Sequence, residues 1–164
     1  MSIIGNLLRV TKTELEEYLK ESSILEERIY DDETEDNKLV DIDKAWDGII
    51  FLLTGQNFEN ATDELVQTLF SGQLIDEEQD LGYGPAHYLT SEQVASFNNR
   101  ISKITTEELK QKYNPKRMTE LEVYPTIWDE GDDAFDYLNE CFKTMQQLYS
   151  DATKNGEAII TFLN

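Results

Sequence analysis

The stretch Asp41-Ile-Asp-Lys-Ala-Trp-Asp-Gly-Ile-Ile-Phe-Leu-Leu-Thr-Gly55 limits the fold more than any other part of the chain. Trp46, Ile49, Ile50 and Leu53 recur at helical spacing on one face, and Phe51 and Leu52 make the opposite side apolar as well. A helix with so little left for water must sit inside the molecule, so the stretch predicts a buried central helix from Asp43 to Thr54. Asp41 or Asp43 is placed to accept from the free N–H groups at its start, and Gly55 suits the left-handed position that ends it. Asp47 is most simply paired with Lys44, three residues back.

The other elements read as layers around that helix. Ile3 to Val10, Pro85 to Leu89 and Ala158 to Leu163 have the apolar, β-branched and aromatic content of strands, with Ala86 and Tyr88 on one face of theirs and His87 and Leu89 on the other. Thr11 with Glu14, or Thr13 with Glu16, opens a helix through a capping box, and a second short helix covers Ser23 to Arg28. Tyr30 to Asn37 is an acidic connector. Thr62 to Phe70 carries the Leu65, Leu69 and Phe70 spacing of a helix. Thr90 with Gln93 caps a helix that ends near Lys103, Thr105 with Glu108 starts another, and Pro115 begins a short one that runs to Leu121. Asp132 to Asn155 is the longest periodic element, with Phe135, Leu138, Phe142, Met145, Tyr149 and Ala152 in register. Helices and a small sheet from distant parts of one chain predict an α+β fold, and 164 residues suit a single domain spanning 1–164.

Charge narrows the function classes. Against 34 acidic residues stand 14 basic ones, a formal net charge of −20. Phosphate backbones are held by clustered Lys and Arg, and the one basic cluster, Lys110, Lys112, Lys116 and Arg117, is diluted by acids, so nucleic acid is excluded as a partner. The same field repels an anionic membrane surface, and the longest apolar run, Ile49 to Leu53, is far short of the ~20 residues that span a bilayer. No basic segment leading an apolar stretch marks the N-terminus as a signal, and Cys141 is the lone cysteine. These features predict a soluble cytoplasmic protein.

Four segments together resemble the YfbM-like family of small bacterial proteins, which is defined by a domain of unknown function. They are Leu39-Val-Asp-Ile-Asp-Lys-Ala-Trp46 running into the apolar helix and Thr54-Gly55, Gly82-Tyr-Gly-Pro-Ala-His-Tyr-Leu-Thr90 with Val94, Tyr124-Pro-Thr-Ile-Trp128, and Tyr149 to Leu163. The resemblance covers almost the whole chain and implies an α+β single-domain fold. It carries no reaction, ligand or partner with it. Two positions depart from the family's usual pattern: Asp47 stands where a His often follows the Trp, and His87 stands where an Arg often precedes the Tyr. A shared site built on those basic side chains would be altered in this protein.

No catalytic set emerges. His87 is the sole histidine and the one side chain that titrates near neutrality unaided, but no nucleophile is evident beside it, and Cys141 falls among core positions of the long helix. Gly82-Tyr-Gly-Pro85 lacks the third glycine of a dinucleotide fingerprint and the ending of a P-loop. The acids of Asp129 to Asp136 miss the spacing of a calcium loop, and one His with one Cys rules out a structural zinc set, so no metal and no cofactor are expected. Asp41, Asp43 and Asp47 are better explained by capping and pairing than as an acid/base set. Two function classes follow. The first is a non-enzymatic acidic module that engages a basic protein through its charge. The second is a small-molecule binding protein, or an unrecognised enzyme, with an aromatic cleft drawn from Trp46, Tyr83, His87, Tyr88, Tyr124 and Trp128.

Overall fold

The structure, a computed structural model, describes residues 2–129, 131 and 133–164. Strand β1 (Gly5–Val10) is followed by helices α1 (Lys12–Lys20) and α2 (Ser22–Ile29), the short strand β2 (Leu39–Asp41), and a single 3-10 turn (Asp43–Ala45) that leads into α3 (Trp46–Thr54). A second 3-10 segment (Glu64–Thr68) and a long loop precede β3 (His87–Leu89). Helices α4 (Ser91–Ile101), α5 (Thr106–Lys112), α6 (Pro115–Glu120) and α7 (Asp133–Asn155) then lead to β4 (Ala158–Leu163).

The terminal segment Ala158–Leu163 becomes an inner strand because its side chains can be buried on both faces. It pairs antiparallel with β1 from Gly5↔Leu163 to Val10↔Ala158, and with β3 from His87↔Thr161 to Leu89↔Ile159. The sheet order is β2-β1-β4-β3. Alternation along the strands divides the interior in two. Leu7, Ile159 and Leu89 join the large core formed with α3, α4 and α7, whereas Leu8, Val10, Ala158, Ile160 and Phe162 join a smaller one under α1 and α2 with Leu15, Tyr18 and Leu25. Glu157, 3% exposed, closes the sheet's lower end by pairing with Arg9 at 2.7 Å and Lys38 at 2.9 Å.

Helix α3 lies at the centre, with every residue from Trp46 to Leu53 buried. Each fully buried Ile or Leu contributes about 1.5–3 kcal/mol of transfer free energy, so this helix is held by its surroundings rather than by its nine-residue length. Gly55 ends it at φ 79°, in the left-handed region. Its start differs from expectation. Asp41 Oδ1 accepts from Asp43 N, Asp43 Oδ2 accepts from the Tyr137 hydroxyl, and the residue before α3 is Ala45, with no side-chain cap. The preceding 3-10 turn supplies the entry instead, with Asp43 held at φ 50°.

Capping boxes set the starts of α1 and α4: Thr11 and Glu14 satisfy each other's backbone donors, as do Thr90 and Gln93. Helix α7 runs 23 residues, about 35 Å, with its Phe135-to-Ala152 stripe buried; the expected start at Asp132 lies outside the described residues. Other boundaries move. Thr62 to Phe70 is not an α-helix but the 3-10 segment Glu64–Thr68, because Asp63 caps Leu65 N and Thr68 donates to Leu65 O in a tight turn. Ile3 and Ile4 precede β1, Pro85 and Ala86 precede β3, and α4 stops at Ile101. Leu39–Asp41, read as a lead-in to the helix, is a fourth strand. Val123 to Pro125 forms a turn with a cis Tyr124–Pro125 bond.

Candidate functional site

At the end of the sheet, β3 begins at His87 while β4 continues to Leu163, so the last residues of β4 are left for the loop before β3 to cover. Tyr83 N donates to Leu163 O across that gap. The result is a small cleft lined by Gly5 and Asn6 of β1, Trp46 of α3, Leu69 and Phe70, Tyr83 and Pro85, His87, and Thr161 to Leu163. Its volume is about 30 Å³, enough for about two water positions. Among the described residues no charged side chain lines it.

Trp46 is the hub of the wall. Its indole Nε1 donates to Ile3 O at 2.9 Å, and its ring meets Phe58 edge-on at 5.1 Å, Phe70 edge-on at 5.8 Å and Tyr124 in a stack at 5.3 Å. Phe70 in turn stands perpendicular to His87 at 5.8 Å. Such edge and stacked contacts each add about 0.5–1.5 kcal/mol beyond area burial, so the wall is rigid on one side. On the other side Tyr83 is 42% exposed, between glycines at φ 131° and 97°. Asp80 Oδ1 organises that turn by accepting from Gly82 N and Gly84 N.

The polar groups of the cleft are few and their protons are assigned. His87 Nδ1 accepts from Gly72 N at 3.1 Å, which places the ring proton on Nε2, and burial lowers the imidazole's proton affinity, so the ring is a neutral donor. Among the described residues nothing pairs with Nε2. The Thr161 hydroxyl donates to Leu69 O at 2.7 Å and keeps its lone pairs. The Thr161 proton is therefore committed to that carbonyl and not to His87. Cys141 lies on α7 packed against the large core, its thiol pushed up to about 11 by burial and by the charges of Asp43, Asp41 and Glu140. A thiol held in that state is a poor nucleophile.

Of the six aromatic and imidazole side chains expected to converge, Trp46, Tyr83 and His87 do. Tyr124 lies behind Trp46, its hydroxyl accepting from Ile3 N, and opens instead onto a second depression with Ser2, Asp43, Lys44, Pro125, Ile127 and Tyr137. Trp128 is buried at 2% exposure, its Nε1 donating to Val123 O. Tyr88 faces the smaller core. Phe70, Phe58 and Thr161 belong to the site and were not anticipated. Nor was Asp47. It does not pair with Lys44: it is 1% exposed, and its two oxygens accept from Phe58 N at 2.8 Å and Tyr124 N at 2.9 Å. An acid in a helix without a solvent face was the signal that it must be satisfied internally.

Among the described residues no group of three or more His, Cys, Asp or Glu is gathered as metal ligands, and no helix is long and apolar enough to cross a membrane. No curated protein matches the chain. The crystal structure of a protein of unknown function, YfbM from Escherichia coli, superimposes with a TM-score of 0.78 at 18% identity, covering 98% of this chain and 99% of that one. At that identity the likeness shows the α+β fold alone. Residues 1–162 match the model of a domain of unknown function, DUF1877, and the chain belongs to that family.

Proposed function

We propose that this protein binds a small uncharged molecule in the cleft between Trp46, Tyr83 and His87. The observation that carries the reading is the convergence of a neutral His87 with the rings of Trp46, Phe70 and Tyr83 in a concavity that, among the described residues, no charged side chain lines, on a chain of net charge −20. Anions are repelled by the molecule's field, and among the described residues no carboxylate lines the cleft to pair a cation. The 30 Å³ volume admits a head group of a few heavy atoms, with the remainder of the ligand over the mouth beside Tyr83. An acceptor oxygen on that head group would match His87 Nε2–H.

Thermal-shift screening of neutral metabolites tests this. Hits should stabilise the native protein and lose at least about tenfold in affinity, about 1.4 kcal/mol, in both His87→Ala and Tyr83→Ala. No hit, or hits indifferent to both changes, would refute it.

A second reading, an acidic module for a basic protein, is supported by the packing of α2. Ser22 Oγ donates to Asp76, Gln79 Nε2 donates to Glu26 and Ser22 O, and the Tyr30 hydroxyl donates to Leu81 O. These bonds join α2, which leads into the acids of residues 31–36, to the acidic loop at 76–80. A pull-down should then recover a basic partner at 50 mM salt that is lost at 500 mM; a partner insensitive to salt, or none, would dismiss it.

A further inference from the structure

The two hydrogen bonds of Asp47 end on two of the three residues whose rings pack against Trp46. Oδ1 holds the backbone N–H of Phe58, and Oδ2 holds that of Tyr124. Phe58 meets Trp46 edge-on and Tyr124 stacks on it. One buried carboxylate thus fixes, from two distant parts of the chain, two of the three ring neighbours of the indole that forms the cleft wall, and leaves Phe70 to the cleft side. We propose that Asp47 is the positioning residue of the cleft, and that proton uptake by this carboxylate releases one of the two amides and loosens the Trp46 wall.

The step follows from what each form of the side chain can do. A carboxylate offers an acceptor on each oxygen, and both amides are satisfied. The acid form turns one oxygen into a hydroxyl, a much weaker acceptor than a carboxylate oxygen and a donor besides, so one of the two bonds is weakened enough to open. The turn at Asn57–Asn60 or the segment at 122–126 must then shift, and the ring it carries shifts with it.

The site is arranged so that this happens near neutrality. Burial disfavours the charge most, the amides of Tyr124 and Phe58 oppose that, and the Glu59 carboxylate adds to it; the group is pushed up to about 6. The elements packed around α3 carry Glu59 on the loop after it, Glu64 on the second 3-10 segment, Glu108 and Lys112 on α5, Glu122 ahead of Tyr124, Asp43 and Lys44 in the turn before, and Tyr137 on α7; of these, Glu59 is the one whose charge acts on the carboxyl. The Tyr137 hydroxyl is held by Asp43 and by Lys44 N, and among the described residues no cation pairs with Asp47. The consequence for ligand affinity rests on the cleft being the binding site. The movement of Trp46 does not, and it is read without a ligand.

The test follows the Trp46 indole N–H and the backbone amides of Phe58 and Tyr124 by NMR in the full chain between pH 7.5 and 5. All three should titrate with one midpoint near 6, while Ile159 and Ile160 in the sheet stay constant. The His87→Gln variant should keep that midpoint, which separates it from the imidazole, and Asp47→Asn should abolish it. Titration that survives in Asp47→Asn, or that disappears in His87→Gln, overturns the proposal, as does the absence of any titration. Should Asp47→Asn fail to fold, the exposed substitution Glu59→Gln must lower the shared midpoint; an unchanged midpoint overturns the proposal equally.

Discussion

Gly48 shows how narrow the choice of residue is where α3 meets α7. A methyl added at its Cα would lie 2.5 Å from Leu138 Cδ2 and 2.9 Å from Trp128 Cη2. Both side chains are buried, at 0% and 2% exposure, and neither has a free direction in which to turn. Alanine is the better helix former by about 1 kcal/mol, but crowding a packed core costs about 1–3 kcal/mol and more where backbone has to move. Steric crowding wins, and Gly48→Ala should destabilise the protein by up to about 2 kcal/mol. Urea unfolding with an unchanged slope would register this as a lower midpoint. A midpoint equal to the parent's would mean that α7 gives way more easily than its 23-residue packed stripe suggests.

Among the elements, those that declare themselves in the sequence are the ones whose cause is local. The central helix is legible because eight consecutive buried residues leave an unmistakable apolar block, and α1 and α4 because Thr11 with Glu14 and Thr90 with Gln93 write the start signal three residues apart. Helix α7 is legible because 23 residues hold one period. Strand β2 is not, since three half-exposed or exposed residues at the sheet edge carry no alternation and owe their conformation to β1. The segment around Leu65 has a helical spacing that a 3-10 turn satisfies equally well over five residues. The cleft is legible in part for the same reason. Trp46 and His87 sit in segments whose conformation can be read, and Tyr83 in a glycine-flanked turn; that Tyr124 would stack behind the indole, and that Asp47 would reach Tyr124 N 77 residues away, depends on tertiary packing. Phe70 joins the site just past that 3-10 segment.

For the molecule as a whole, the buried acid and the surface acids pull stability in the same direction between pH 7.5 and 5. Asp47 has a folded proton affinity of about 6 against an ordinary 3.8, so its contribution is fully present below the unfolded value and is lost as pH rises through 6. The shift corresponds to about 3 kcal/mol. The net charge of −20 adds self-repulsion that also eases as pH falls toward the pI of 4.2. His87 opposes both, because burial keeps it neutral and unfolding lets it take a proton below its ordinary 6.5. At lower pH the sign reverses. Asp36 is held down by Arg28, and Glu157, despite its burial, by Lys38 and Arg9; their contributions are present above the ordinary values of 3.8 and 4.5 and vanish as pH falls through the depressed ones. Stability should therefore peak at about pH 5, with a Tm about 5 °C above that at pH 7.5. Calorimetry in 0.01 and 0.3 M NaCl separates the two causes, since salt screens the surface repulsion and leaves a buried carboxylate nearly untouched. The part of the gain that persists at high salt should disappear in Asp47→Asn; a parent Tm that is flat or rises from pH 5 to 7.5 would contradict both the buried acid's sign and its size.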